Sequence, residues 1–124
     1  MTIDFDTQTP IYLQISEMLR QAILAGDIKE GEPIPSVRQL SVEQNLNPQT
    51  VLNATQLLIN EDLIEKRRGL GMYVQEGARE KLQRDEMQAF KNSELPTLMS
   101  RAKLLGLSKQ ELIEIIDRNY GEEH

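Results

Sequence analysis

Ile34-Pro35-Ser36-Val37-Arg38-Gln39-Leu40, then Asn47-Pro48-Gln49-Thr50-Val51, then Arg67-Arg68-Gly69-Leu70-Gly71-Met72-Tyr73-Val74 follow one another with almost no slack. In the first segment Ser36 can accept a hydrogen bond from the amide of Gln39 while Gln39 reaches back, a capping box that satisfies orphan donors at a helix start. Pro35 keeps the chain extended before it, and the spacing predicts a helix to about Gln44 with Val37 and Leu40 inward and Arg38 outward. A break at Asn45-Leu46-Asn47 follows. Asn47 then caps a second helix whose first residue, Pro48, has no amide hydrogen to lose and a preset φ.

At about 100° per residue, Val51, Ala54, Thr55 and Leu58 share one side of this second helix, with Leu52 and Ile59 on the flank of that side. The opposite stripe, Gln49, Asn53, Gln56 and Asn60, is all amide, in a chain with 27% charged residues. A solvated face in such a chain is expected to carry Glu and Lys pairs. Amides donate and accept together, which suits the edges of bases, and Asn or Gln paired with adenine N6 and N7 is a common contact. The plainer reading is a polar stripe facing water. Only the first turn is expected to reach bases, because one turn further back is about 5 Å along the axis and rises out of the groove.

Leu63 to Arg67 and Met72 to Val74 read as two short strands, with Gly69 and Gly71 supplying the positive φ of a tight tip. Lys66-Arg67-Arg68 is the densest positive cluster in the chain. A basic hairpin tip can serve only solubility and edge protection. Placed after a capped, amide-faced helix it reads instead as a contact to phosphates or the minor groove. Helix, turn, helix and hairpin in this order outline a winged helix-turn-helix, mainly α with a small β-hairpin wing.

At these residues the chain resembles the GntR family of bacterial transcription regulators, in particular its small YtrA-like subfamily. The resemblance begins at Pro10-Ile11-Tyr12 with Gln14 and Ile15 and passes through Gly26, Gly31 and Ile34-Pro35-Ser36-x-Arg38-x-Leu40. It continues with Asn47-Pro48-x-Thr50-Val51, Ala54, Leu63-Ile64 and Gly69-x-Gly71, so that it covers roughly residues 9 to 75. It implies a homodimer on a palindromic operator in double-stranded DNA. DNA contacts are then expected from Ser36 and Arg38, from Asn47, Pro48, Gln49, Thr50 and Asn53, and from Lys66, Arg67, Arg68, Gly69 and Gly71 in the wing. Three positions depart from the family pattern. Asn53 stands where Arg or Lys is usual, Thr55 where Tyr is common, and Leu70 where the wing tip is often basic or polar. The operator preference of relatives is therefore not carried over.

The 124 residues suit one compact domain, 1–76, plus an appendage, 77–124. With no cysteine there is no disulfide framework and no thiolate metal site. Met1 to Thr9 is polar and acidic rather than a basic-then-apolar leader, and no apolar run approaches membrane-spanning length, so a cytoplasmic protein is expected. The net charge of -6 argues against a general nucleic-acid binder. Residues 36–76 hold four basic and five acidic groups, and the positives gather at Arg38 and Lys66 to Arg68. Specific binding with weak nonspecific affinity follows, since phosphate neutralisation carries the nonspecific part.

The first helix of the chain is expected to start with Thr9 as N-cap and Pro10 at its first position, to place Ile11, Ile15, Met18, Leu19, Ala22 and Ile23 at core spacing, and to stop at Gly26. Tyr12 sits off that stripe. In the appendage, Leu95, Leu98, Met99, Ala102 and Leu105 form an apolar stripe after Met87 and Phe90. Pro96 is read either as a kink or as the first turn of a new helix capped by Ser93. Gly106 ends that helix, and Ser108 with Glu111 opens a last one carrying Leu112, Ile113, Ile115, Ile116 and Tyr120 on one side. So short a tail cannot bury these stripes within itself. They either pack back on the chain's first helix or form a helical dimer interface, for which Met87, Phe90, Leu95, Leu98, Met99, Ala102, Leu105, Leu112, Ile113 and Ile116 are the candidates.

An enzyme is not expected, because the only histidine is His124 and the carboxylates fall on solvated helix faces. No metal and no cofactor are implied. Glu122-Glu123-His124 could hold a stray cation, but a frayed terminus explains them more simply. Two functions remain: a dimeric regulator that occludes a promoter as a repressor, its effector unspecified, and a winged-helix module used for protein contacts, which the acidic balance and Asn53 would favour.

Overall fold

The computed structural model describes residues 5–121, so the Glu122-Glu123-His124 cluster and the first four residues lie outside the described part. The elements in order are α1 (Ile11–Ala25), α2 (Val37–Glu43), α3 (Pro48–Asn60), β1 (Ile64–Arg67), β2 (Gly71–Val74), α4 (Ala78–Ala89), a π-helical turn (Phe90–Glu94), α5 (Leu95–Leu104) and α6 (Lys109–Tyr120). The chain divides into two compact units, 1–84 and 85–124, and the division falls inside α4.

The first unit is a three-helix cluster with a hairpin. Ile15, Leu19 and Ile23 of α1 meet Leu40 of α2, Val51 and Leu58 of α3, and Leu63, Ile64 and Val74 of the hairpin in one core, each 2% exposed or less. The expected capping box on α2 is present. Ser36 Oγ accepts from the Gln39 amide at 3.0 Å and Gln39 Oε1 accepts from the Ser36 amide at 2.9 Å. Asn45, at φ 54°, turns the chain out of α2, and the Leu46 amide reaches back to the Ser41 carbonyl at 2.8 Å. Asn47 then accepts from the Gln49 amide at 2.8 Å, with Pro48 opening α3.

α1 begins differently from the expectation. Pro10, not Thr9, is the N-cap residue and no side chain caps the helix. Asp6 instead accepts from the amides of Gln8 and Thr9 at 2.9 and 2.8 Å, and Gln14 donates back to the Thr9 carbonyl at 2.8 Å. The acidic lead-in thus ties itself to the helix through Gln14, a role its side chain can fill because it lies one turn in from the start. Ile11, placed on the core stripe by periodicity, is 39% exposed. Gly26 ends α1 in the left-handed region as expected.

β1 and β2 pair antiparallel from Ile64 opposite Val74 to Arg67 opposite Gly71. The link expected only to turn runs along β2 instead. The Ile34 amide donates to the Met72 carbonyl at 2.9 Å, the Val74 amide to the Glu32 carbonyl at 2.9 Å, and the Gly31 amide to the Val74 carbonyl at 2.9 Å. The wing is therefore held from one side by the segment that leads into α2. Arg20 grips Glu61 through both carboxylate oxygens at 2.8 Å, joining α1 to the residue that ends α3. Ala78 and Leu82 are 2% and 5% exposed in the core of this unit, which runs past residue 76, where the domain was expected to end.

In the second unit, Pro96 stands in the first turn of α5, as one of the two readings had it, but Glu94 and not Ser93 is the N-cap residue and no side chain caps the helix. Glu94 and Leu95 keep helical angles and the Leu95 amide reaches five residues back to the Phe90 carbonyl. The widened turn gives the proline ring room where an ordinary turn would clash. Gly106, at φ 80°, closes α5, and Ser108 and Glu111 form the expected capping box on α6. No described residue from Asp85 onward is buried. α6 also presents two apolar faces rather than one, because Leu112 and Ile115 line a groove with α5 while Ile113, Ile116 and Tyr120 stay exposed.

Candidate nucleic-acid interface

α3 is fixed by Val51, Ala54, Thr55 and Leu58 in the core, and this leaves Gln49, Asn53, Gln56 and Asn60 exposed on its outer side. These amides bond to one another along the helix. Gln49 Nε2 donates to Asn53 Oδ1 at 3.0 Å and Gln56 Nε2 to Asn60 Oδ1 at 3.0 Å. Each pair holds two side chains in one rotamer and leaves the Gln carbonyl as acceptor and the Asn amide as donor. An acceptor beside a donor is the complement of adenine's N6 donor and N7 acceptor.

A concavity of about 450 Å³ lies between α3 and the wing, lined by Gln49, Leu52, Asn53, Gln56 and Lys66 with Val37, Thr55, Ile59 and Met72. It brings Gln49, Asn53 and Lys66 together. The remaining candidates sit around it or do other work. The Ser36 hydroxyl and the Asn47 side chain are engaged as helix caps. Pro48 is exposed and Thr50 half-buried, while Arg38 is exposed on α2. Gly69 and Gly71, at φ 75° and 95°, shape the tip. Its cations differ in availability. Arg67 is drawn to Glu65 at 3.3 Å and lies over the Tyr73 ring at 4.1 Å, whereas Arg38, Lys66 and Arg68 have no ion-pair partner among the described residues. Arg67 was not separable from Arg68 by sequence, since only the register that sets Glu65 opposite Tyr73 reveals that it is held back.

Residues 11–74 match the model of the bacterial regulatory proteins, gntR family. The chain belongs to the GntR family. Over 114 residues it is 37% identical to the HTH-type transcriptional repressor YtrA of Bacillus subtilis, covering 92% of this chain and 87% of that protein. A GntR family transcriptional regulator from Listeria monocytogenes superposes with a TM-score of 0.72 at 28% identity, over 92% of this chain and 98% of its own. The DNA-binding domain of AraR, solved in complex with operator ORX1, shares the fold at 22% identity and a TM-score of 0.54, covering 60% of this chain and 94% of its own. This GntR-family chain is thus a transcription regulator with a DNA-binding domain, and the family and these relatives are regulators rather than enzymes.

Four apolar residues of the regulator's concavity, Val37, Leu52, Ile59 and Met72, were not among its candidate site residues. The signal was available for Leu52. It stands three residues after Gln49 and four before Gln56, the spacing that puts side chains on one face of a helix. In the second unit a groove of about 780 Å³ gathers Phe90, Leu98, Ala102, Leu105 and Leu112, while Met87, Leu95, Met99, Ile113 and Ile116 are outside its lining. Among the described residues no helix is long and apolar enough to cross a membrane.

Proposed function

We propose that this regulator is a homodimeric repressor that binds an inverted-repeat operator, reading bases with the outer face of α3 and gripping the backbone with the wing. The observation that carries this reading is the shared concavity. The fixed amide pair of Gln49 and Asn53 and the unpaired Lys66 border one hollow, so a duplex edge entering it meets base-reading groups and a phosphate-binding cation at once. Arg38 and Arg68 extend the cationic contact on either side, and Ser36, Asn47, Pro48, Thr50, Gly69 and Gly71 place the backbone that approaches DNA. Action in the cytoplasm follows from the target.

Dimerisation falls to the tail, residues 77–124, whose first turns are anchored in the DNA-binding unit by Ala78 and Leu82. From Met87 onward none of its described apolar side chains is buried, with Leu105 70% and Leu98 52% exposed, and a second copy supplies the missing cover symmetrically. A two-fold dimer fits an operator whose half-centres are about 34 Å apart. Repression is the simplest action of a compact dimer over a promoter, and the Bacillus subtilis relative is named a repressor.

The test is a salt titration on a duplex recovered by in vitro selection. Log K is expected to fall with log salt at about -0.9 per phosphate neutralised, several per dimer, with unrelated duplexes bound far more weakly. Equal affinity for all duplexes would end the reading and favour a winged-helix module used for protein contacts.

A further inference from the structure

Leu52 is 45% exposed at the fifth position of α3, between the two amides that bond each other, Gln49 and Asn53. Apart from Pro48 it is the one apolar side chain among the exposed residues of α3, on the flank of the amide stripe, and it borders the same hollow as Gln49, Asn53 and Lys66. Val37 and Met72, half-buried, line that hollow with it, so an apolar patch sits between hydrogen-bonding walls. A methyl group entering beside Leu52, Val37 and Met72 would bury apolar surface against apolar surface and release the water that covers both. Duplex DNA presents one such group in the major groove, the 5-methyl of thymine, which apolar side chains contact.

We propose that Leu52 is a specificity-determining residue that packs against a thymine methyl in each operator half-site. The inference rests on the DNA-binding reading above and adds to it a base that the amides do not read. Gln49 lies one helical turn before Leu52, about 5 Å along the axis, while stacked base pairs are about 3.4 Å apart along the duplex. The thymine is therefore expected within one or two steps of the base pair read by Gln49 and Asn53.

The experiment uses the full chain and the duplex that in vitro selection recovers, with each thymine replaced in turn by deoxyuridine, which removes the methyl and nothing else. One thymine per half-site is expected to weaken binding roughly fourfold on replacement, the scale set by burying a single methyl group. Leu52→Ala should weaken binding to the thymine duplex by a similar factor and abolish the difference between thymine and deoxyuridine at that position. Leu52→Met, which keeps an apolar side chain, should retain the difference. Leu52 is exposed enough that all variants should melt like the parent, which checks folding.

If deoxyuridine is tolerated at every position, or Leu52→Ala weakens both duplexes while the thymine preference persists, the proposal is overturned and Leu52 acts only through its packing beside Val37 and Met72. Those outcomes leave the salt-dependent, sequence-selective binding intact. Failure of the DNA-binding reading looks different, because selection then recovers no sequence at all and both proposals fall together.

Discussion

At Gln49 and Arg68 two kinds of contact are separable by substitution. Gln49→Ala removes the carbonyl that the Asn53 bond leaves facing outward, and it should relax preference at one base pair per half-site at a cost of about 1–3 kcal/mol. Arg68→Ala should weaken selected and scrambled duplexes alike and reduce the salt slope by about one phosphate. Competition binding with both duplexes checks this, and a uniform loss for both variants would show that the proposed division between base and phosphate contacts is wrong. Arg67 gives a sharper contrast. Already drawn to Glu65 and stacked on Tyr73, it has less to offer a phosphate, so Arg67→Ala should cost less DNA affinity than Arg68→Ala. The reverse order would mean that the tip rearranges on binding.

The caps and the Arg20–Glu61 bridge act at the scale of elements. Ser36→Ala removes the acceptor for the Gln39 amide at the start of α2 and should lower unfolding stability by about 1 kcal/mol in urea. A loss confined to experimental error would mean that solvent replaces the hydroxyl. Glu61 ends α3 and is half-exposed, so the bidentate bridge contributes modestly, on the order of 1 kcal/mol. A double-mutant cycle of Arg20→Met and Glu61→Gln measures it, and additive losses would deny the coupling. On α6, the Ser108 amide and then its hydroxyl hold the Glu111 carboxyl below the ordinary glutamate range. Because the folded value is the lower one, its contribution to the helix is complete above the ordinary glutamate value and is lost as pH falls through the depressed one. Following the Glu111 carboxyl by NMR, Ser108→Ala should move its midpoint upward and fray α6 at a higher pH. An unmoved midpoint would separate the cap from the titration.

At the scale of the whole molecule, the proposed dimer rests on the exposed apolar side chains of residues 85–121. Leu105→Asp places a charge in the groove formed with Leu98, Ala102 and Leu112, and it should shift sedimentation from dimer to monomer while the DNA-binding unit melts as before. Operator affinity should fall by at least tenfold as the second half-site is lost. An unchanged sedimentation coefficient would remove the tail from the interface. Anchoring by Ala78 and Leu82 predicts further that deleting the chain after Val74 harms the first unit itself, whereas a break after Arg84 spares it.

The sequence by itself determined the local architecture of this regulator. Ser36 with Gln39, Asn47 with Pro48, Ser108 with Glu111 and the glycines of the tip fix their backbones through groups within a few residues, so their geometry was legible before any fold. The amide stripe was legible for the same reason, being a matter of helical period. Tertiary structure decided the rest. That the Gly31 to Ile34 link edges β2, that Arg67 is occupied by Glu65 and Tyr73, and that α6 splits its apolar residues between two faces all depend on what packs nearby in space. Periodicity ranks the faces of a helix, but only its neighbours determine which face is covered.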